Sequence, residues 1–185
     1  MANQDAAFGF RPVRHLTGGQ IRAEEANIAN NYDTAIYTGQ VVEAVTAGGV
    51  EAATVGDVQQ AGVFGGVFYT DPTTSKPTWK AYYPGSITAS DIVANVYADP
   101  QIIFEGQHDG TATVANNNHA NHDHVGTSGS TINGQSSAEI DSTTYTTETL
   151  NNDGSVTEQL NKTVSLNYPA IDTTGFKPTV VNGQV

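Results

Sequence analysis

Three of the chain's five histidines, His119, His122 and His124, stand close together, with Asp123 between the last two and His108 and Asp109 upstream. Imidazole is the commonest protein ligand for transition metals. In an extended segment His122 and His124 point to the same side, because strand side chains alternate with a period of two, so the pair could grip one metal ion. In a trimer, three such pairs would surround the axis. A metal site also needs partners that orient each ring, and the Asn-rich tract NNNHANHDH supplies little rigidity. A solvated polar loop that happens to hold histidine is the preferred reading, and no cofactor is expected.

Carboxylates are abundant, nineteen in all, and a paired-acid hydrolase would draw on two of them. Only Glu105, in QIIFEGQ, and Asp99, in YADP, are flanked by strong apolar runs. Acids in such places usually lie on the surface at strand ends. The chain has no GxSxG elbow, no GxxxxGK[ST] phosphate loop and no HExxH motif. It has no cysteine, which removes disulfides, thiol catalysis and Cys-based metal sites. The tract GTSGSTINGQS lacks the lysine and the glycine spacing of a phosphate loop and reads as turns. Nothing here points to an enzyme.

What remains is the chemistry of binding. The first 23 residues hold Arg11, Arg14 and Arg22 against the single acid Asp5, a net of +2 in a chain whose formal net charge is −12, which leaves −14 for the rest. Phe8 and Phe10 are separated by one residue, so on an extended chain they face the same way and could fill neighbouring pockets. Pro12 blocks a helix interior, and Gly9, Gly18 and Gly19 add hinges. Aromatic residues and arginine are the groups that anchor interfaces. The expected partner-binding residues are therefore Phe8, Phe10, Arg11, Pro12, Arg14, His15 and Arg22, on an extended arm that is poorly ordered alone.

The elements that must position these groups are strands. Residues 1–32 read as the arm, with a short helix expected over 21–32, where Ile21, Glu25, Ile28 and Tyr32 follow helical steps. Residues 33–185 read as a β-domain. AIYTGQVVEAV and VEAATV flank a TAGG turn, and AGVFGGVFYT is followed by the turn cluster DPTTSKP. TWKAYY is expected to put Trp79, Ala81 and Tyr83 on one face, and the Gly65–Gly66 pair to mark a bulge or a close backbone approach. DIVANVYADP and QIIFEGQ are two further runs. STTYTTETL and SVTEQLNKTVSLNY flank NNDG, a hairpin signal. Residues 107–139 read as one long polar loop, and loops of that length are usually functional or interface-forming. The expected fold is all-β, an antiparallel sandwich or barrel with an extended N-terminal arm.

Composition narrows the partners. Four scattered lysines on an acidic body give no clustered cations for phosphate, so no nucleic acid is expected. The chain has neither an uninterrupted apolar stretch of about 18 residues nor a basic start followed by an apolar run, so no membrane span or signal peptide is expected. A soluble protein made in the cytoplasm is the reading.

Four segments, FGFRPVRHLTGGQIRA, GVFGGVFYTDPTTSKPTWKAYYPGS, IVANVYADPQIIFEGQHDGT and GSTINGQSSAEID, resemble in order the capsid decoration, or cement, proteins of tailed bacteriophages, especially those of marine phages. The resemblance implies a structural virion protein on the outer capsid surface. It would bind major capsid protein and itself, commonly as a homotrimer at local threefold positions, and strengthen the head. The arm would then lie across capsid protein or a neighbouring copy. A second reading is a virion appendage for a host receptor or glycan, with Trp79, Tyr82, Tyr83 and Tyr97 as an aromatic platform.

Overall fold

A computed structural model describes residues 6–55, 60–110, 121–126, 128–150 and 156–160. The chain divides into unit 1, Met1–Asp109 with His124–Ile140, and unit 2, Gly110–Asp123 with Asp141–Val185. The described residues form thirteen strands and no helix. The fold is all-β and sandwich-like, with several antiparallel sheets and no closed barrel among the described residues.

Unit 1 is built on β6 (Gln60–Thr70), the longest strand of its main sheet. That sheet has the order β2 (Glu24–Asn27), β9 (Val93–Tyr97), β6, β4 (Val41–Ala44) and β5 (Val50–Ala52). β7 (Pro77–Lys80) also pairs with β6, over Val67–Thr70, while β4 takes Gln60–Val63. One edge of β6 thus serves two partners in turn. On its other edge the register with β9 slips between Phe64 and Gly66, leaving Gly65 as the extra residue of a bulge.

The bulge decides which residues reach the core. Phe64 and Val67 are three apart and would face opposite ways on a regular strand. The inserted glycine returns them to the same face, opposite Val96 and Ala94, and all four are buried. They join Ile28, Ile36, Val42, Val50, Tyr69, Tyr83 and Ile92 in one apolar cluster. Burying each such aliphatic or aromatic side chain contributes roughly 1.5–3 kcal/mol. Gly65 and Gly66 carry no side chain of their own: a β-carbon at Gly65 would lie 2.8 Å from the Tyr97 ring, and one at Gly66 would lie 3.0 Å from Trp79.

Two sequence expectations fail here for tertiary reasons. Residues 21–32 hold no helix; Glu24–Asn27 is β2, hydrogen-bonded to β9, and Ala26, Ile28 and Tyr32 pack toward the core. Pairing with a sheet edge outweighs the weak helical spacing of an Asn-rich segment. TWKAYY is not one strand either. β7 ends at Lys80 and β8 (Tyr82–Tyr83) pairs instead with β3 (Ile36–Tyr37). Ala81 is the break, its carbonyl accepting the Thr38 hydroxyl. Trp79 therefore stays 58% exposed while Tyr83 is fully buried, its hydroxyl donating to the Tyr32 carbonyl at 2.8 Å. Burial pushes the Tyr83 phenol up.

Unit 1 also contains a two-stranded sheet, β1 (Arg11–His15) with β10 (Ile102–Glu105). In unit 2, Thr146–Leu150 of β12 (Glu139–Leu150) pair antiparallel with β13 (Val156–Leu160), Thr146 opposite Leu160 and Leu150 opposite Val156, while the turn expected at Asp153–Gly154 lies outside the described residues. β11 (Asn121–Val125) joins the same sheet beside β12. Residues 107–139 are thus more than a loop, since they include β11 and a hydrogen-bonded turn at 130–135.

Candidate functional site

The arm is extended over Arg11–His15, and it lies along its own unit. Its first fixed point is a pair of glycines. The Phe10 amide donates to the Gly39 carbonyl at 2.8 Å, and the Gly39 amide donates to the Phe64 carbonyl at 2.8 Å. A β-carbon on Gly9 would come within 2.9 Å of the Gly39 oxygen, and both residues have positive φ, 75° and 87°. Only glycine allows the arm to sit this close. The Phe10 ring then lies over Gly106, where a β-carbon would meet it at 2.9 Å.

The ladder to β10 follows, with Arg11 opposite Glu105 and His15 opposite Ile102; a bulge at Val13 separates the Pro12 and Arg14 registers. Arg11 forms an ion pair with Glu105, and its guanidinium also stands 5.2 Å from the centre of the Phe8 ring. Both charged groups are well exposed, so the pair orients the arm more than it stabilises it. His15 is more enclosed. Its Nε2 lies 3.0 Å from Asp99, and its Nδ1 accepts from the Thr17 amide at 3.3 Å and lies 2.8 Å from the Thr17 hydroxyl. That arrangement fits a proton on Nε2 directed at Asp99. The Gln101 amide, at 2.8 Å, and then His15 hold the Asp99 carboxyl below its ordinary value.

Sequence reasoning singled out Asp99 and Glu105 as acids beside apolar runs, and Arg11 and His15 as partner-binding residues of the arm. The structure joins these two sets to each other. Phe8, Phe10, Pro12 and His15 are half-buried against unit 1, while Arg11, Arg14 and Arg22 are exposed. The large apolar residues that the arm exposes are ones the sequence did not single out, Val13 at 52% and Leu16 at 64% exposed. The bulge explains Val13, since the extra residue of a bulge has no partner across the ladder. No periodicity in a five-residue strand announces a bulge.

The histidine tract is divided. His119 lies outside the described residues. His122 is in unit 2, its Nδ1 donating to the Asp141 carbonyl at 3.0 Å, and His124 is a buried residue of unit 1. Among the described residues no group of three or more His, Cys, Asp or Glu is placed to hold a metal ion.

The aromatic platform is also dispersed. Tyr82 stacks on Tyr37, ring centres 5.6 Å apart, and Tyr83 stacks on Tyr32 at 6.1 Å. Trp79 remains open beside Phe68, its cross-strand neighbour, which is 44% exposed. No helix among the described residues is long and apolar enough to cross a membrane. No protein-family model, curated protein or solved structure matches the chain.

Proposed function

We propose that this chain is a structural virion protein that binds major capsid protein on the outer surface of an icosahedral head and ties adjacent capsomers together, without catalysis or cofactor. The resemblance of its four segments to phage decoration proteins implies this role, commonly as a homotrimer at local threefold positions. One structural observation carries the binding half of the reading. Among the described residues β1 pairs only with β10, and Val13 and Arg14 within it and Leu16 just after it are exposed.

An open strand edge accepts an extended partner chain by backbone hydrogen bonding, and its projecting side chains supply selectivity. Pro12 and the Val13 bulge keep that edge from pairing indiscriminately. A shell filled with DNA is pushed outward, so a protein that bridges capsomers adds contacts that must all break before it opens. The acidic remainder would keep decorated particles mutually repelled.

The test uses the full chain with Val13→Asp and Leu16→Asp, incubated with undecorated shells and measured by sedimentation. An apolar anchor of the hot-spot kind costs about 2 kcal/mol or more when lost, so occupancy should require at least roughly 30-fold more protein for each site. Wild-type occupancy by the double variant would reject the reading. The second reading, an appendage for a receptor or glycan, is favoured by the exposed Phe68–Trp79 pair alone. It predicts that arm variants keep their binding and that Trp79→Ala loses it.

A further inference from the structure

We infer that Asn133 is a modification site controlled by the fold: its carboxamide is lost by spontaneous cyclisation onto the Gly134 amide nitrogen when the turn at residues 130–135 opens, and is preserved while the turn is closed. The inference does not depend on the decoration reading. Its chemistry starts from the sequence. The chain has two Asn-Gly steps, Asn133–Gly134 and Asn182–Gly183, and each is followed by glutamine. Glycine has no β-carbon to crowd its own nitrogen, so it is the neighbour that most readily lets that nitrogen reach the asparagine side chain. The Gly134 nitrogen gives its proton to a solvent base and attacks Cγ of Asn133. The N–Cγ bond forms, the Cγ–Nδ2 bond breaks, and ammonia leaves with a proton taken from water. Water then opens the cyclic imide at one carbonyl or the other, which leaves an aspartyl or an isoaspartyl link at position 133.

The closed turn restrains both reacting groups. The Gly134 amide donates to the Ser130 carbonyl at 2.8 Å, which holds the proton that must leave, and Gly134 is buried although Asn133 beside it is exposed. The carboxamide is held at both ends: Nδ2 donates to the Gln135 side-chain oxygen at 2.9 Å, and Oδ1 accepts the Gln135 amide at 3.0 Å. The Ser130 amide on the Gln135 carbonyl, at 2.8 Å, and the Thr38 amide on the Gly134 carbonyl, at 2.9 Å, fasten the turn further. Reaction therefore waits for a local opening, and when reclosing is fast its rate is the open-chain rate multiplied by the open fraction. Base-catalysed hydrogen exchange at Gly134 begins with the same nitrogen losing the same proton, so one opening governs both reactions. The isoaspartyl product does not close again. It lengthens the backbone before Gly134 by one carbon, and Gly134 has no room to shift, since a β-carbon there would already lie 2.9 Å from the Ala81 side chain and its φ is +74°.

The experiment incubates the full chain at mildly alkaline pH, folded and in denaturant, and follows positions 133 and 182 by peptide mapping with isoaspartate detection. Exchange of the Gly134 amide is measured on the folded sample. In denaturant Asn133 and Asn182 should react at similar rates, because both stand in Asn-Gly-Gln. Folding should slow Asn133 at least roughly tenfold, and by the factor that protects the Gly134 amide to within about threefold. Equal rates at Asn133 in the folded and the denatured chain would overturn control by the turn. An Asn133 that stays intact in denaturant while Asn182 reacts would overturn the site itself. Slowing that departs from the Gly134 exchange protection by more than roughly tenfold would show that the Ser130–Gly134 hydrogen bond is not what holds the reaction back, and would overturn the inference as stated.

Discussion

Replacing Gly9 by alanine should loosen the arm without unfolding unit 1, and Gly18 provides the control. Both glycines have φ of +75°, but a β-carbon at Gly18 meets nothing within 4 Å, whereas at Gly9 it comes within 2.9 Å of the Gly39 carbonyl oxygen. An L-residue in this left-handed region costs roughly 1–2 kcal/mol, and Gly18→Ala pays that alone. Gly9→Ala adds a backbone clash whose relief requires the arm to withdraw from Gly39. With it goes the Phe10–Gly39 hydrogen bond, about 1 kcal/mol net. The expected total for Gly9→Ala is about 2–4 kcal/mol on arm docking, a 30- to 1,000-fold rise in the open population at about 1.4 kcal/mol per decade. Native-state hydrogen exchange of the β1 and β10 amides reads that population directly. Protection should fall across Arg11–His15 and Ile102–Glu105 in Gly9→Ala, and much less in Gly18→Ala. Equal loss in the two variants would refute the idea that the close approach at Gly39 holds the arm.

The bulge in β6 makes a second prediction. Phe64→Ala should destabilise unit 1 by about 3–5 kcal/mol, as emptied core sites do, while Phe68→Ala, four residues along on the exposed face, should cost far less; similar denaturation midpoints would contradict the register. A third concerns acid. Asp71 is held below its ordinary pKa by the Thr74 and Thr73 amides, Asp91 by the Thr70 hydroxyl and amide, and Asp99 by the Gln101 amide and His15. Groups whose pKa is lower folded than unfolded stabilise the fold above the unfolded value, near 3.9, and lose that contribution as pH falls through the folded one. The melting temperature gap between the parent and a triple Asp→Asn variant should therefore be full at pH 6 and close progressively below about pH 4. A gap that widens on acidification would show the sign to be wrong.

Much of the strand pattern was legible from local signals. The antiparallel pairing of β12 with β13, the turn after Thr70 and the strands at Val93–Tyr97 and Ile102–Glu105 follow from alternation bounded by turn residues. Gly65–Gly66 announced a bulge because a strand rarely gives up two side chains without a neighbour to fill the space, and here Tyr97 and Trp79 fill it. The misread segments are those where partners decided. Glu24–Asn27 became a strand because β9 offered an edge, and TWKAYY broke because β3 and β6 claimed different halves.

By itself, the sequence determined the class. Alternating Val, Tyr and Thr runs between glycine turns can bury an apolar face only as sheets, and the lack of cysteine removes disulfides and thiol chemistry. The charge of the arm was equally plain. What the arm does with that charge was settled by the tertiary structure alone. Arg11 meets Glu105 and His15 meets Asp99 across 94 and 84 residues of chain, distances over which local pattern carries no information. Pairing along β10 then turned the phenylalanines toward their own unit and left Val13, Arg14 and Leu16 facing outward, because a strand held on one edge by a ladder must show its other side to solvent.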